Sequence, residues 1–155
     1  NRFGGHAAAA GFELNQSTQQ EMIQFLKIYF QNLKSNPTGV EIDFDTSALL
    51  TEVNPQVMKW YDFIGPYGVG FQVPIIKFNQ VSLNSKKELK GGHLKLNFTD
   101  REKSNQVDGL LFSPSEKLKN KIEVGLTYEV FCELQWNYFN GRKTIQLLVK
   151  DLLPI

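Results

Sequence analysis

The sequence predicts an α+β chain, with an α/β segment over residues 1–64 and a five-stranded β-barrel over residues 70–155. Apolar residues recur at helical spacing in the first part, whereas beyond residue 70 they alternate with polar residues, as in strands. Residues 65–70 between the two parts are rich in glycine and proline, which is typical of a turn or a domain boundary.

The first part is predicted to contain one long helix, two short helices and two strands. Thr18 and Glu21 form a capping-box pattern ahead of an apolar stripe at helical spacing. Alternation of apolar and acidic residues near residue 42 predicts a half-buried strand with a solvated acidic face. The predicted elements are a strand over 12–14, a helix from residue 18 to residue 33, a strand over 40–45, and helices over 47–52 and 55–63.

Five strands are predicted in the second part, with one short helix between the third and the fourth. Asn140-Gly141 is the dipeptide that favours a type I′ hairpin, and it joins the last two predicted strands. Five strands with a helix in this place form the layout of an OB-fold, a small Greek-key barrel. The predicted strands cover residues 72–83, 93–100, 107–112, 126–139 and 142–151, and the helix covers 115–121.

Composition and charge exclude several classes of protein. A length of 155 residues with 41% hydrophobic content fits one ordered domain or two small ones, not a disordered chain. Residues 1–62 carry four basic and seven acidic side chains, whereas residues 63–155 carry thirteen and nine. The second part therefore has a mild electrostatic preference for nucleic acid. No apolar run reaches the roughly 20 residues that span a bilayer.

Few residues are available for metal binding or catalysis. The single cysteine, Cys132, excludes an internal disulfide, fits a cytoplasmic location, and is expected to be buried because it lies in a strand pattern. The two histidines lack the spacing of a zinc site. Since no nucleophile or carboxylate–histidine cluster is visible, the chain alone is expected to bind no metal and to be inactive as an enzyme.

The opening segment combines two glycines, a histidine and four alanines before a third glycine. Alanines favour a helix, and a glycine turn that opens a helix directs backbone N–H groups toward an anion. The segment therefore predicts a phosphate or carboxylate site at Gly4, Gly5 and His6, with a charge-assisted contact from Arg2. The alternative interpretation is a tightly packed helix–strand junction.

Three segments resemble the DHH phosphoesterase superfamily, and two of them resemble its RecJ branch of single-strand-specific exonucleases. Residues 4–12 are similar to the G-G-H-x-x-A-A-G-F signature of the DHH-associated domain. Residues 64–78 resemble the L-x-P-[FY]-G-x-G-N-x-x-P-x-F segment of RecJ, with Phe71 where the family usually has asparagine. Residues 91–96 resemble the G-x-x-H-L-K-L segment of the barrel that follows in RecJ. The D-H-H triplet of the superfamily does not occur in the sequence.

The resemblance implies the C-terminal portion of a bacterial 5′→3′ single-stranded-DNA exonuclease of DNA recombination and repair. This portion comprises the end of a DHH-associated domain, residues 1–64, and an OB-fold, residues 70–155. It also implies that Mn²⁺ or Mg²⁺ is held by an upstream DHH domain of the same protein, while Gly4, Gly5 and His6 contact substrate phosphate. The expected partners are single-stranded DNA, that upstream domain and other repair proteins, with no membrane.

The barrel is expected to combine lysines with aromatic platforms, as single-strand binding proteins do. Basic residues crowd the loop between the first two predicted strands, and aromatic and basic residues flank the final hairpin. Trp136 shares its strand face with apolar residues and is also consistent with a core position, and the loop lysines are also consistent with a solvated loop. The candidates are Lys86, Lys87, Lys90, His93, Lys95, Trp136, Phe139, Arg142 and Lys143.

Two other functions stay open at this point. An OB-fold also serves as a protein-interaction module, because fold alone does not settle function. A DHH phosphodiesterase that acts on short oligonucleotides or cyclic dinucleotides would share the glycine–histidine motif, although the five-strand pattern disfavours it. Salt dependence separates DNA binding from protein docking, because phosphate contacts release counterions.

Overall fold

The computed structural model describes residues 3–6, 9–32 and 42–155 of the chain. The chain forms two compact units, Asn1–Glu41 and Ile42–Ile155. No helix in the described ranges is both long enough and apolar enough to cross a membrane.

The first unit begins with a two-stranded antiparallel sheet. Its elements are β1 (Phe3–His6), β2 (Ala9–Phe12) and α1 (Gln19–Asn32). Gly4 lies opposite Gly11, and Gly5 lies opposite Ala10. The predicted helix after the glycines is therefore wrong for residues 9–12, which are extended. Four alanines are too few to offset the cost of helix nucleation, whereas strand pairing satisfies backbone groups of Ala9 and Ala10.

The long helix is confirmed as α1, but its start differs from the prediction. Thr18 lies in a single 3-10 turn, Gln16–Thr18, ahead of α1. The Thr18 hydroxyl donates to the backbone carbonyl of Asn15 at 3.0 Å, so it does not act as the cap of a Thr18–Glu21 box. Leu33, the last residue of the predicted stripe, lies outside the described residues.

The second unit is a barrel with one added strand and two helices. Its elements are β3 (Thr46–Ala48), α2 (Pro55–Ile64), β4 (Ile76–Glu88), β5 (Leu94–Thr99), β6 (Gln106–Leu111), α3 (Glu116–Lys121), β7 (Thr127–Phe139) and β8 (Arg142–Pro154). The strand order is β3-β4-β5-β6-β8-β7, and β7 also pairs with β4. That last pairing closes five strands into a barrel, which confirms the predicted OB-fold.

The barrel closes because β4 changes partner along its length. Residues 76–78 lie between β3 and β7, whereas residues 82–88 pair with β5. The register of the β4–β7 pair shifts between Phe78 and Val81, and Gln80 there has a φ of 53°. Such a bulge bends a strand and increases its twist, so one strand reaches two neighbours. The predicted hairpin is also confirmed, since Asn140 and Gly141 have positive φ angles of 48° and 74°.

Two predictions for residues 40–52 are wrong. Residues 42–45 are not in a strand, and residues 40–41 lie outside the described part. The Asp45 carboxylate accepts a hydrogen bond from the backbone N–H of Ile75 at 2.8 Å. This N–H is therefore bonded to a side chain and not to the backbone carbonyl of a neighbouring strand. The predicted helix over 47–52 is replaced by β3 and a 3-10 turn, Leu50–Glu52.

The segment ahead of residue 64 packs on the barrel. Asn54 caps α2 by accepting the backbone N–H groups of Gln56 and Val57 at 2.9 and 3.0 Å. The buried side chains of Leu50 and Met58 belong to the same apolar core as the barrel strands. The structural division at residue 42 is therefore earlier than the predicted boundary at residues 64–70, and the assignment of residues 1–64 to a DHH-associated domain stays a prediction.

Cys132 lies fully inside this core, and desolvation by burial raises the pKa of its thiol. Because the thiolate is the reactive species, we expect the native chain not to react with a disulfide reagent such as DTNB. After unfolding in guanidinium chloride, the same assay should count one thiol per chain. Rapid labelling of the folded chain would contradict the buried position.

Candidate nucleic-acid interface

The glycines of the predicted phosphate site at the start of the chain lie in a strand, not at the N-terminus of a helix. Gly4 and Gly5 lie in β1, and the backbone of His6 pairs with Ala9 of β2. Arg2 lies outside the described residues, and the side chain of His6 is not described. The phosphate contacts of these residues stay a prediction.

Lys86, at the end of β4, is exposed, but its cation is bound by backbone carbonyls of the protein. Its Nζ donates to the backbone carbonyls of Lys119 and Ile122 at 3.2 and 2.6 Å. These carbonyls lie at the C-terminal end of α3, where a cation is favoured by the free carbonyl groups and the helix dipole. Lys86 thus holds α3 against β4, and its predicted contact with DNA gains no support from this geometry.

Lys87 and Lys95 lie directly opposite each other in the β4–β5 ladder, and both are exposed. Like charges in this position repel each other. The repulsion is reduced by Asp108, whose Oδ2 lies 2.7 Å from Lys95 Nζ. Desolvation raises the pKa of the Asp108 carboxyl, but hydrogen bonds from Lys95 and Asn97 lower it overall. Lys87 is left as the more available cation of the pair.

The β4–β5 turn, residues 89–93, is a tight loop that exposes Lys90. The backbone N–H of Leu89 donates to the carbonyl of His93 at 2.8 Å. Gly91 and Gly92 have φ angles of 88° and 77°, a region in which residues with a side chain are strained. Both glycines are therefore required by the turn, which presents Lys90 to solvent at the end of the barrel.

His93 is held in one orientation. Its Nδ1 lies 3.0 Å from the backbone nitrogen of Ser113. Its ring contacts the ring of Phe112 edge to face, with centroids 4.9 Å apart. Phe112 follows β6 directly and is 54% exposed. Sequence reasoning missed Phe112, because it continues the apolar run of Leu110 and Leu111 and resembles another core residue.

The side chains of Trp136 and Lys143 contact each other in the final hairpin. Lys143 Nζ lies 3.9 Å from the centroid of the Trp136 ring, a cation–π contact. The indole N–H of Trp136 donates to Asp62 of α2 at 2.9 Å, and its ring packs against the core. The core interpretation of Trp136 therefore fits its half-buried position better than a free stacking surface does.

Phe139 and Arg142 form the last pair of the β7–β8 ladder, beside the hairpin turn. Both side chains are exposed, Phe139 to 68%. Because side chains alternate along a strand, Phe139 lies on the face of Gln135 and not on that of Trp136.

A row of amide and carboxylate side chains crosses the outside of the barrel, and sequence reasoning did not find it. Asn97, Asp108, Gln146 and Gln135 occupy adjacent register positions on β5, β6, β8 and β7. Asn97 donates to Asp108 at 2.8 Å, and Gln135 donates to Gln146 at 3.3 Å. The row joins residues that are up to 49 positions apart, so only strand pairing reveals it.

We define the outer face as this row with the cations and aromatic residues at its two ends. Lys95 lies two residues before Asn97 on β5, and Phe139 lies four residues after Gln135 on β7, so both belong to the face of the row. Beyond Lys95 lies Lys87, and beside Phe139 lies Arg142. The arrangement offers cations and an aromatic ring at its edges. The side chains of the row between them hydrogen-bond to one another, and Gln146 is buried. Within the described ranges, no cluster of three or more His, Cys, Asp or Glu side chains suits a metal ion.

Comparison with known proteins gives a consistent result. The sequence model of the family described as the RecJ OB domain matches residues 44–151. The single-stranded-DNA-specific exonuclease RecJ of Bacillus subtilis (strain 168) is 23% identical over 150 residues, which cover 96% of this chain and 19% of that protein. The exonuclease of the same name from Salmonella typhimurium is 25% identical, with 99% of this chain and 26% of that protein covered.

A solved structure extends the likeness to the fold. RecJ from Thermus thermophilus in complex with Mn²⁺ matches with a TM-score of 0.58 and 23% identity. The match covers 98% of this chain and 22% of that one. The chain thus spans about a fifth to a quarter of the length of the relatives that it matches.

Proposed function

The chain belongs to the RecJ OB domain family, and on that basis we propose that it is the substrate-binding portion of a RecJ-like 5′→3′ single-stranded-DNA exonuclease in DNA recombination and repair. The observation that carries this proposal is the outer face. Lys87 and Arg142 lie at its two ends, Phe139 offers an exposed ring, and the row of amide and carboxylate side chains lies between them. Single-strand binding proteins combine such cations, which follow the phosphates, with aromatic rings on which bases stack.

We propose that a DHH domain elsewhere in the same protein carries out the hydrolysis of the DNA strand. Two structures of Thermus RecJ contain Mn²⁺ or Mg²⁺, and we propose the same ions for the parent enzyme. Such ions activate a water molecule and stabilise the charge that develops on the phosphate. The residues of this chain hold and orient the strand. By the DHH resemblance, Gly4, Gly5 and His6 add contacts to substrate phosphate. We also propose that the enzyme works in the cytoplasm.

The test is the salt dependence of binding by the 155-residue chain. We expect fluorescence anisotropy with a labelled thymidine oligonucleotide to show an affinity that falls linearly with log salt, at about 0.7 log units for each phosphate contact. Three exposed cations, Lys87, Lys90 and Arg142, predict a slope near −2 from the barrel. A duplex of equal length is the control and should bind more weakly. Binding that is absent at low salt, or independent of salt, would contradict the proposal.

A protein-docking surface has its own supporting observation. Trp60, Phe63 and Ile64 share one face of α2 by helical spacing, and all three are exposed, Phe63 to 78%. Exposed groups of large apolar side chains mark interaction surfaces. We assign this face to the DHH domain of the same protein, the partner that the RecJ resemblance implies. A barrel that serves only such docking would not bind single-stranded DNA with the salt slope above.

A further inference from the structure

We propose that Phe112 and His93 form a subsite for one nucleotide of single-stranded DNA at the β4–β5 turn. In this subsite a base stacks on the Phe112 ring, and His93 Nε2–H donates to an oxygen of the adjacent phosphate. The inference rests on the proposed function and deepens it, since it adds Phe112 and a defined ligand to the candidate residue His93.

The hydrogen bond to Ser113 determines which nitrogen of His93 carries the proton. A backbone N–H can only donate, so Nδ1, 3.0 Å from the Ser113 nitrogen, must accept. The proton of the ring therefore lies on Nε2. The hydroxyl of Ser113, 3.3 Å from Nδ1, supports the same orientation.

Gly91 leaves room beside the ring of His93. A Cβ at position 91 would lie 3.2 Å from Nε2 and 3.5 Å from Cδ2 of His93. Any side chain there would crowd the face of the His93 ring beside Nε2, whereas glycine leaves this space free. The positive φ of Gly91 also favours glycine, so the turn geometry and the space beside the ring both depend on this residue.

Phe112 is held in place and still open to a ligand. Its neighbour Leu111 is buried in the barrel, which anchors the backbone, and the edge-to-face contact with His93 limits the motion of the ring. More than half of Phe112 is nevertheless exposed. A ring that is already ordered loses little conformational entropy when a base stacks on it.

The charges around the subsite favour a phosphate. Lys90 lies in the same turn, and Lys87 lies on the adjoining strand. The nearby carboxylates of Glu88 and Glu116 are both bound by Lys119 Nζ at 2.8 Å, which offsets one of their two negative charges. The hydrogen bonds of Lys86 to the end of α3 keep the turn and α3 together, so the subsite exists before DNA binds.

The test compares two ligands and two variants of the chain. Affinity is measured for a thymidine oligonucleotide and for an abasic strand of equal length, which keeps the phosphates and lacks the bases. Phe112→Ala should weaken binding of the thymidine strand about tenfold, leave binding of the abasic strand unchanged, and leave the salt slope unchanged. His93→Asn, which keeps an acceptor for Ser113 and loses the Nε2 donor, should weaken binding of both strands alike.

Phe71→Ala is the matched control, because Phe71 is 51% exposed and lies outside the outer face and the turn. It should bind both strands as the unmodified chain does, and thermal melting should confirm that every variant is folded. Equal affinity of Phe112→Ala and the unmodified chain for thymidine would overturn the subsite alone, as would an equal loss for both strands. Failure of the unmodified chain to bind either strand would overturn the proposed function, and the subsite with it.

Discussion

A chain with glutamine at Lys87, Lys90 and Arg142 is expected to bind single-stranded DNA about 100-fold more weakly at 0.1 M salt than the unmodified chain. The three side chains are exposed, and none has a carboxylate partner among the described residues. Each phosphate contact contributes about 0.7 log units of affinity per log unit of salt, so losing three contacts removes about two units of slope. Anisotropy titrations between 0.05 and 0.5 M salt measure both quantities.

The matched control changes charge by the same amount at Lys86, Lys95 and Lys143. These cations are engaged by backbone carbonyls, by Asp108 and by the Trp136 ring. Their replacement by glutamine should lower stability and change the slope less than the first set does. If the two triple variants lose equal affinity and equal slope, only the net charge matters, and the assignment of individual cations is wrong.

Phe98→Ala is expected to destabilise the chain by about 3–5 kcal/mol. Phe98 lies on β5 and is completely buried. Its ring lies beside Gly109 of β6, where an added Cβ would be only 2.9 Å from Phe98 Cε2. Because Gly109 has no side chain to fill the space that the ring leaves, the cavity cannot collapse easily, and the cost should fall in the upper part of this range.

Urea unfolding, followed by circular dichroism, measures this loss of stability. Phe139→Ala removes the same side chain at a position that is 68% exposed, and it should change stability by less than about 0.5 kcal/mol. A loss below about 1 kcal/mol for Phe98→Ala would show that the barrel core repacks. A large loss for Phe139→Ala would show that the hairpin end supports the fold.

The barrel was predictable from the sequence because its signals are local. The alternation of apolar and polar residues predicted all five barrel strands. The Asn140-Gly141 pair predicted the hairpin, because such turns require the positive φ angles that these residues adopt. Pro55, the first residue of α2, marked its start in the same way. The burial of Cys132 also followed from its place in a strand pattern. Each of these features depends on a few neighbouring residues.

The errors and omissions lie where residues far apart in the sequence meet. Ala9 and Ala10 are extended because β1 pairs with them, although alanine favours a helix. Lys86 looked like a loop cation, yet the end of α3, more than 30 residues later, binds its ammonium group. Phe112 resembled a core residue, and its exposure follows from its position beyond the last barrel pairing of β6.

The sequence therefore established the five strands of the barrel, the burial of Cys132, and which family motifs the chain carries. The folded chain established which polar groups are already used by the protein and which remain for a ligand. The row of amide and carboxylate side chains is the clearest example, because Asn97, Asp108, Gln146 and Gln135 become neighbours only when β5, β6, β8 and β7 pair. Hydrophobic periodicity is a property of a segment, whereas the availability of a charge or a ring depends on every element packed around it.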